Sequence, residues 1–503
     1  MEQLIGKISR YLWEFDAEAL LRAIPRTVLV FCILLLGYLS FDLNGNEEQY
    51  LLYAKQFMDP DWIASRYLNE FPGTRLLYQF ITGFLLQFMS FESLLISMRL
   101  LLCLLYAIAL GKIYKTLKVS ALHILLHLPV LFLLQQSFFG GSWLFVSVEP
   151  KGFSYVFIVF ALYYFMKAHY RTMLVLLIIG TYFHVLVGVY VFLFFMGTLV
   201  FFEKPKQGYE FLKLGLIYVL ALVPFVLYLR QAVTGAVEFS PSVDWIYSYF
   251  RHPHHLGIFK DLGYFYSHHF YGVCTTFIAL CFSLYFHRFA TSEQLKRLNG
   301  FVLLSLSWVL IAVVIAFFDK EGVLLKYYPF RILTISTFVV SLLFSIFIFS
   351  SLRSKYLQVW KTLIILISFI CIVKLAKPNL KGLYVYFNQN PYLALNAMGS
   401  YVKTHTKKDA VVLSFLSDLS LNRRLERDRF VVYKFIPADM KAIPEWYERE
   451  LYKRQLANNL ELLKDRKPSY KIDYVLAKQP LKSNLLELVH REDTYYLYKL
   501  TSE

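Results

Sequence analysis

Carboxylates that could do chemistry are concentrated in one polar stretch, Asp42 to Arg75 ("DLNGNEEQYLLYAKQFMDPDWIASRYLNEFPGTR"), set between two strongly apolar runs. A polar loop of that length is most often functional when it is patterned, and this one is. Glu47 and Glu48 could act as a general base on an acceptor hydroxyl or amine, or bind a cation. The same two acids, in the first turn of a helix, also suit the helix dipole. Asp42, where the first apolar run ends, is placed to project into a cavity between spans. Glu149, before Pro150 and Lys151 in a second short loop, is a fourth carboxylate that could converge on the same substrate.

The candidate cations are as specific in type. In "KYYPFR", Lys326 and Arg331 stand with two tyrosines at the end of an apolar run, where a lipid phosphate would lie, and an arginine fork suits phosphate oxygens. Arg99, one to two turns into an apolar run, must pair with an acid or snorkel outward. "RHPHH" gathers Arg251, His252, His254 and His255, and reads as phosphate-binding or loop-structuring. It lacks a second histidine group at helical spacing and so falls short of a zinc signature. A divalent metal is compatible with the sequence without being demanded, and no other cofactor is indicated.

The elements that must position these groups are helices in a membrane. The 503 residues are 57% hydrophobic and 18% aromatic, with apolar runs near twenty residues, which predicts an all-α polytopic membrane protein and excludes an ordinary soluble fold. All five cysteines fall inside apolar runs, so disulfides and cysteine zinc sites are set aside. Most of the net charge of +17 sits in short loops and at the tail, where it reads as topology and not as nucleic-acid binding. Eleven spans are expected: 27–41, 93–114, 120–139, 152–166, 172–183, 185–202, 211–229, 270–286, 301–318, 330–350 and 363–373. The N-terminal cations Lys7, Arg10, Arg22 and Arg26, with Lys204, Lys206, Arg353 and Lys355, then lie on the cytoplasmic side. The acid-bearing loops lie outside. Because 172–202 is too long for one span and short for two, the turn near His184 is expected within the membrane.

Inside the acidic loop, Asn46 is the expected N-cap with Gln49 completing a capping box, and Leu51, Ala54, Phe57 and Met58 form one apolar face along the membrane surface. Pro72 to Ser90 reads as a second interfacial helix. The chain divides into a membrane domain, 1–376, carrying the acidic loop 42–75, and a small extracytoplasmic α/β domain, 377–503. In that domain "DAVVLSF", "RFVVYKFIP", "IDYVLA" and "TYYLYKL" are expected strands and Pro444 to Arg466 a helix.

A first span, an acid pair opening an amphipathic helix, a proline-led interfacial helix and then Arg99 heading the next span together resemble the GT-C superfamily. These are membrane glycosyltransferases that use polyprenyl-phosphate-linked sugars. The superfamily pattern is Asp-Glu, two residues, Tyr; "NEEQY" has Asn46 where the aspartate stands and Glu47 where the glutamate stands. "EPKGFSYVFIVFALYYFMK", "GTYFHVLVG", "RHPHH", "PFR" and the tail "TKKDAVVLSF" look like a bacterial branch of GT-C-like proteins with an outer α/β domain. The resemblance implies a bacterial plasma-membrane enzyme transferring sugar, with inversion, from polyprenyl phosphate to a glycan, lipid or protein acceptor at the outer face. On that reading Glu47, Asp42 or Glu48 would be the base with Glu149 nearby, and Arg331, Lys326, Arg99 and the histidine loop would hold phosphate. Two other classes stay open: a lipid-linked-glycan transporter or polymerase, and a non-catalytic scaffold whose outer domain binds a partner.

Overall fold

The computed structural model describes residues 21, 23–65, 68, 75–140, 143–145, 147–203, 208–233, 238–351, 357–389 and 392–501. Lys7, Arg10, Arg22, Pro72, Lys204, Lys206, Arg353 and Lys355 lie outside the described residues. By internal packing the chain forms two units. The helical unit is Met1–Ser40, Ile96–Val223 and His252–Lys381; the sheet-bearing unit is Phe41–Leu95, Pro224–Arg251 and Gly382–Glu503.

The longer helices of the described residues up to position 389 are, in chain order, α1 (Arg26–Tyr38), α2 (Gly45–Met58), α3 (Leu76–Leu85), α4 (Phe91–Thr116), α5 (Ala121–Leu133), α6 (Pro150–Met166), α7 (Tyr170–Phe183), α8 (Val185–Phe202), α9 (Gly208–Val233), α10 (Leu262–His268), α11 (Phe270–Phe286), α12 (Glu293–Phe318), α13 (Leu333–Ser351) and α14 (Leu357–Gln389). Among the described residues six are long and apolar enough to cross a membrane: α4, α8, most of α9, α12, α13 and most of α14. A seventh candidate is the pair α10 and α11, bent by 58° where they join. The exposed faces fit that solvent. On α9 Leu212, Leu216 and Leu220 are each more than half exposed, an apolar stripe that water would penalise and lipid would not.

The eleven expected spans are therefore not all matched by membrane-length helices; α1, α5, α6 and α7 stand where spans are expected but run only 13 to 17 residues, and α3, expected at the interface, has 10. The expected span over 120–139 stops at Leu133 because Gln135 and Gln136 take positive φ and turn the chain. Gln136 then fixes the turn: its amide accepts from the backbone N–H groups of Leu144 and Phe145 and donates to the Tyr38 hydroxyl. At His184, α7 and α8 are joined by a single extended residue. Gly188 makes this joint possible, since a Cβ there would stand 2.1 Å from the Thr181 hydroxyl oxygen.

The C-terminal part of the sheet-bearing unit begins with α15 (Leu393–His405) and β1 (Val411–Ser414). They are followed by α16 (Leu421–Leu425), β2 (Asp428–Arg429), α17 (Ile443–Leu456), β3 (Tyr474–Ala477), β4 (Leu486–Glu492) and β5 (Tyr495–Leu500). The strand order is β2-β1-β3-β5-β4, with β2, β1 and β3 parallel and β4 and β5 antiparallel. Strand periodicity sends Val411, Leu413, Val475 and Tyr498 to one core, shared with Trp446 of α17 and Ile246. Val412, Leu476 and Leu497 go to the other, under Leu395 and Met398 of α15.

Of "RFVVYKFIP" only Arg429 is in a strand. Beyond it the carbonyls of Val432 and Lys434 accept from the Trp446 indole and from Arg251 and Gln49, so side chains replace a ladder. The helix expected to reach Arg466 ends at Leu456, followed by a short 3-10 turn at Leu460–Leu463. Also in this unit, α2 and α3 pack so closely that a Cβ on Gly83 would stand 2.2 Å from the Ala54 carbonyl oxygen.

Candidate functional site

In the helical unit Glu149 is the N-cap of α6 and is only 1% exposed. Pro at the first helical position needs no N–H partner and suits this start. The loop before it is held by the Tyr106 hydroxyl, which donates to the carbonyls of Leu144 (2.7 Å) and Gly152 (2.8 Å). Gly152 permits the close turn, because a Cβ would meet the Ser147 carbonyl oxygen at 2.3 Å. The Lys151 ammonium stands 3.4 Å from the Glu149 carboxylate, and it too is buried.

Arg331 is held by the turn that "KYYPFR" makes before α13. Tyr328 adopts positive φ, its carbonyl accepts from the Arg331 backbone N–H, and the Trp308 indole donates to the Pro329 carbonyl. The buried guanidinium lies 4.4 Å from the centre of the Tyr328 ring. The rings of His252 and His255 stand 5.9 and 6.3 Å from that of Tyr328, and the His254 ring is 4.1 Å from that of His255. The Tyr155 hydroxyl lies within electrostatic reach of both Glu149 and Arg331. Lys326 is half-buried near the Tyr327 ring, and buried Arg99 donates to the Ser40 carbonyl.

Burial, followed by the nearby charges of Arg331, His254 and Lys151, holds the pKa of His255 well below the ordinary imidazole value. The ring is therefore neutral at neutral pH. Its Nδ1 is bonded to the Gly140 carbonyl, which can only accept, so the proton sits on Nδ1 and Nε2 keeps its lone pair. The cluster thus offers one buried carboxylate, two buried cations and a neutral imidazole acceptor. That set can hold a phosphate and take a proton.

The carboxylates of the acidic loop belong to the sheet-bearing unit. The N-cap of α2 is Asn44, two residues before the expected Asn46. Its side chain accepts from the N–H groups of Asn46 and Glu47, while Glu47 accepts from the Asn44 N–H at 2.9 Å and closes the capping box. Glu48 is gripped by the fork of Arg423, at 3.1 Å from Nε and 2.9 Å from Nη2, and Glu92 takes the remaining Nη1 at 2.9 Å. Burial opposes the charge of Arg423, yet its bonds to Glu48 and the charges of Glu48 and Glu92 outweigh that and raise its pKa. Asp42 is half-buried within electrostatic reach of Tyr392, and Asn46 accepts from Lys434 at 2.7 Å.

Sequence reasoning assigned no role to Lys151, Arg423 or Lys434. Lys151 carried a local signal, sitting two residues from Glu149; Arg423 had none, its partner being 375 positions away. No group of three or more His, Cys, Asp or Glu side chains among the described residues is placed to hold a metal ion. Two hollows belong to the helical unit. One of about 10 Å³, lined by Leu34, Tyr38, Arg99 and Tyr106, has room for roughly one water. The other, about 560 Å³, is lined by His169, Arg171, Glu203 and Arg297. Its principal charges are already matched, with Arg297 on Glu203 and the Tyr170 hydroxyl donating to Glu203 at 2.6 Å. Comparison with protein-family models gave no match, and comparison with curated proteins gave none either.

Proposed function

We propose that this chain is a membrane glycosyltransferase that moves a sugar from a polyprenyl-phosphate donor to an acceptor at the outer face. The observation that carries the reading is the buried Glu149 carboxylate 3.4 Å from Lys151, with Lys151 and Arg331 both in electrostatic reach of His255. Arg331 and Lys151 would hold the donor's phosphate and stabilise it as it leaves, which needs cations more than an acid. Glu149 would take the acceptor's proton as its oxygen or nitrogen attacks the anomeric carbon, with inversion. Glu149 stands ahead of Glu47 and Glu48 because it shares the helical unit with Lys151, His255 and Arg331. In this reading α1, α5, α6 and α7 join α4, α8, α9, α11, α12, α13 and α14 in an eleven-span bundle, with α3 at the interface. The N-terminus is then cytoplasmic and the sheet lies outside the bacterial plasma membrane.

The test is transfer of radiolabelled sugar from a panel of polyprenyl-phosphate sugars by the purified full-length protein. Loss of transfer in Glu149→Gln with an unchanged melting curve is the expected result; full transfer by that variant overturns the assignment. A scaffold reading is favoured by the engagement of Glu48 with Arg423 and Glu92. It prevails if no donor on the panel supports transfer and deletion of 377–503 dissolves a complex.

A further inference from the structure

The sheet-bearing unit contains a second cationic cluster that sugar transfer does not use. Arg251 ends the π-helical segment Ile246–Arg251 and is 8% exposed. It donates through Nη2 to the Lys434 carbonyl at 3.0 Å and lies 5.1 Å from the centre of the Tyr433 ring. Its Nε is buried without a hydrogen-bond partner, and among the described residues no carboxylate pairs with it. A buried guanidinium in that state is costly unless an anion completes it.

The surroundings point the same way. Arg75 and Arg251 are both within electrostatic reach of the Tyr53 hydroxyl. Arg75 covers the Tyr50 ring at 4.9 Å. The Gln49 amide donates to the Tyr53 hydroxyl and to the same Lys434 carbonyl that Arg251 uses. The Lys434 ammonium is 2.7 Å from the neutral Asn46 side chain. Arg75 and Arg251 thus share the neighbourhood of Tyr53, and Lys434 lends its carbonyl to Arg251 while its ammonium reaches Asn46.

We propose that this cluster is a phosphate-binding site built on Arg251, with Arg75 and Lys434 beside it and Gln49 and Tyr53 supplying neutral hydrogen bonds. A phosphate oxygen pair suits the guanidinium fork, and the flanking cations suit a dianion. The phosphate can come from a polyprenyl monophosphate headgroup or from free phosphate; the chemistry is the same. The site stands whether or not the chain transfers sugar.

The experiment uses full-length protein carrying Arg331→Gln and Lys151→Gln, so that the two cations assigned to phosphate in the helical unit do not contribute. Binding of labelled inorganic phosphate, and of polyprenyl monophosphate in nanodiscs, is measured with and without a further Arg251→Gln. Affinity should fall about tenfold or more with Arg251→Gln, the scale of one charge-assisted bond, and be partly kept with Arg251→Lys. Lys467→Gln, on an exposed pair with Glu448, should leave it unchanged. Binding of inorganic phosphate assigns a free-phosphate site; binding of the lipid alone assigns a headgroup site. If Arg251→Gln fails to melt cooperatively, the half-buried Lys434→Gln replaces it, with an expected loss of about threefold. Absence of binding by both ligands, or affinity untouched by these variants, overturns the proposal.

Discussion

Glu48 and Glu149 are both buried carboxylates with a cation beside them, one in each unit, and the difference lies in the kind of cation that meets each. Both oxygens of Glu48 are taken by a single guanidinium in a fork, and that guanidinium is shared with Glu92. Glu149 faces a lysine at 3.4 Å, a longer contact to a point charge. A guanidinium fork fixes both oxygens of a carboxylate in one plane, whereas an ammonium is a point charge that imposes no such geometry. Burial near positive charge thus marks a candidate, and the geometry of the neighbouring cation separates the two.

Substitutions at the two acids sharpen that contrast most. Under the proposed reaction Glu149→Gln should lower transfer about 10²- to 10⁴-fold, the range of a general base, while its melting temperature stays near that of the parent. The next effect is on stability. Arg423→Met strands the Glu48 charge and should cost about 3 kcal/mol in chemical denaturation, and adding Glu48→Gln should restore most of it. If the single variant is as stable as the parent, the Glu48 pair is not structural and the contrast fails.

Asp428 gives a third, pH-dependent arm. Burial, only partly offset by the Ser65 hydroxyl, the Arg449 charge and the Arg429 N–H, pushes its pKa up to about 6. The folded state therefore holds a proton that the unfolded chain releases near pH 4, and this contribution to stability is lost as pH rises from about 4 through 6. Asp428→Asn should raise the melting temperature at pH 7 to 8, with the gain vanishing by about pH 4. The smallest effect is at the cap, where Asn44→Ala should cost about 1 kcal/mol and Asn46→Ala less, measured by thermal melting.

The helices were largely legible. The bounds 185–202 and 270–286 match α8 and α11 because uniform apolarity is interrupted sharply at each end. The cap of α2 was misplaced by two residues because Asn44 and Asn46 are equivalent as types, and only Glu47, three after Asn44, closes the reciprocal bond. "RFVVYKFIP" has strand composition, but its carbonyls were claimed by residues from 49, 251 and 446, which no local window contains. β4 is an edge strand that reads "LELVHRE", and its charges hide the alternation that would have revealed it. In the site, residue types named Glu149 and Arg331 as candidates; that both act on Tyr155 is a property of the packing.

The close approach of Gly83 to the Ala54 carbonyl has a practical use. At 2.2 Å no side chain, not even a methyl, fits without driving α2 and α3 apart, so position 83 admits a single residue type while the apolar positions around it are free to drift. A glycine twenty-nine places after the residue it touches is therefore a fingerprint by which distant homologues of this chain could be recognised after their composition has diverged.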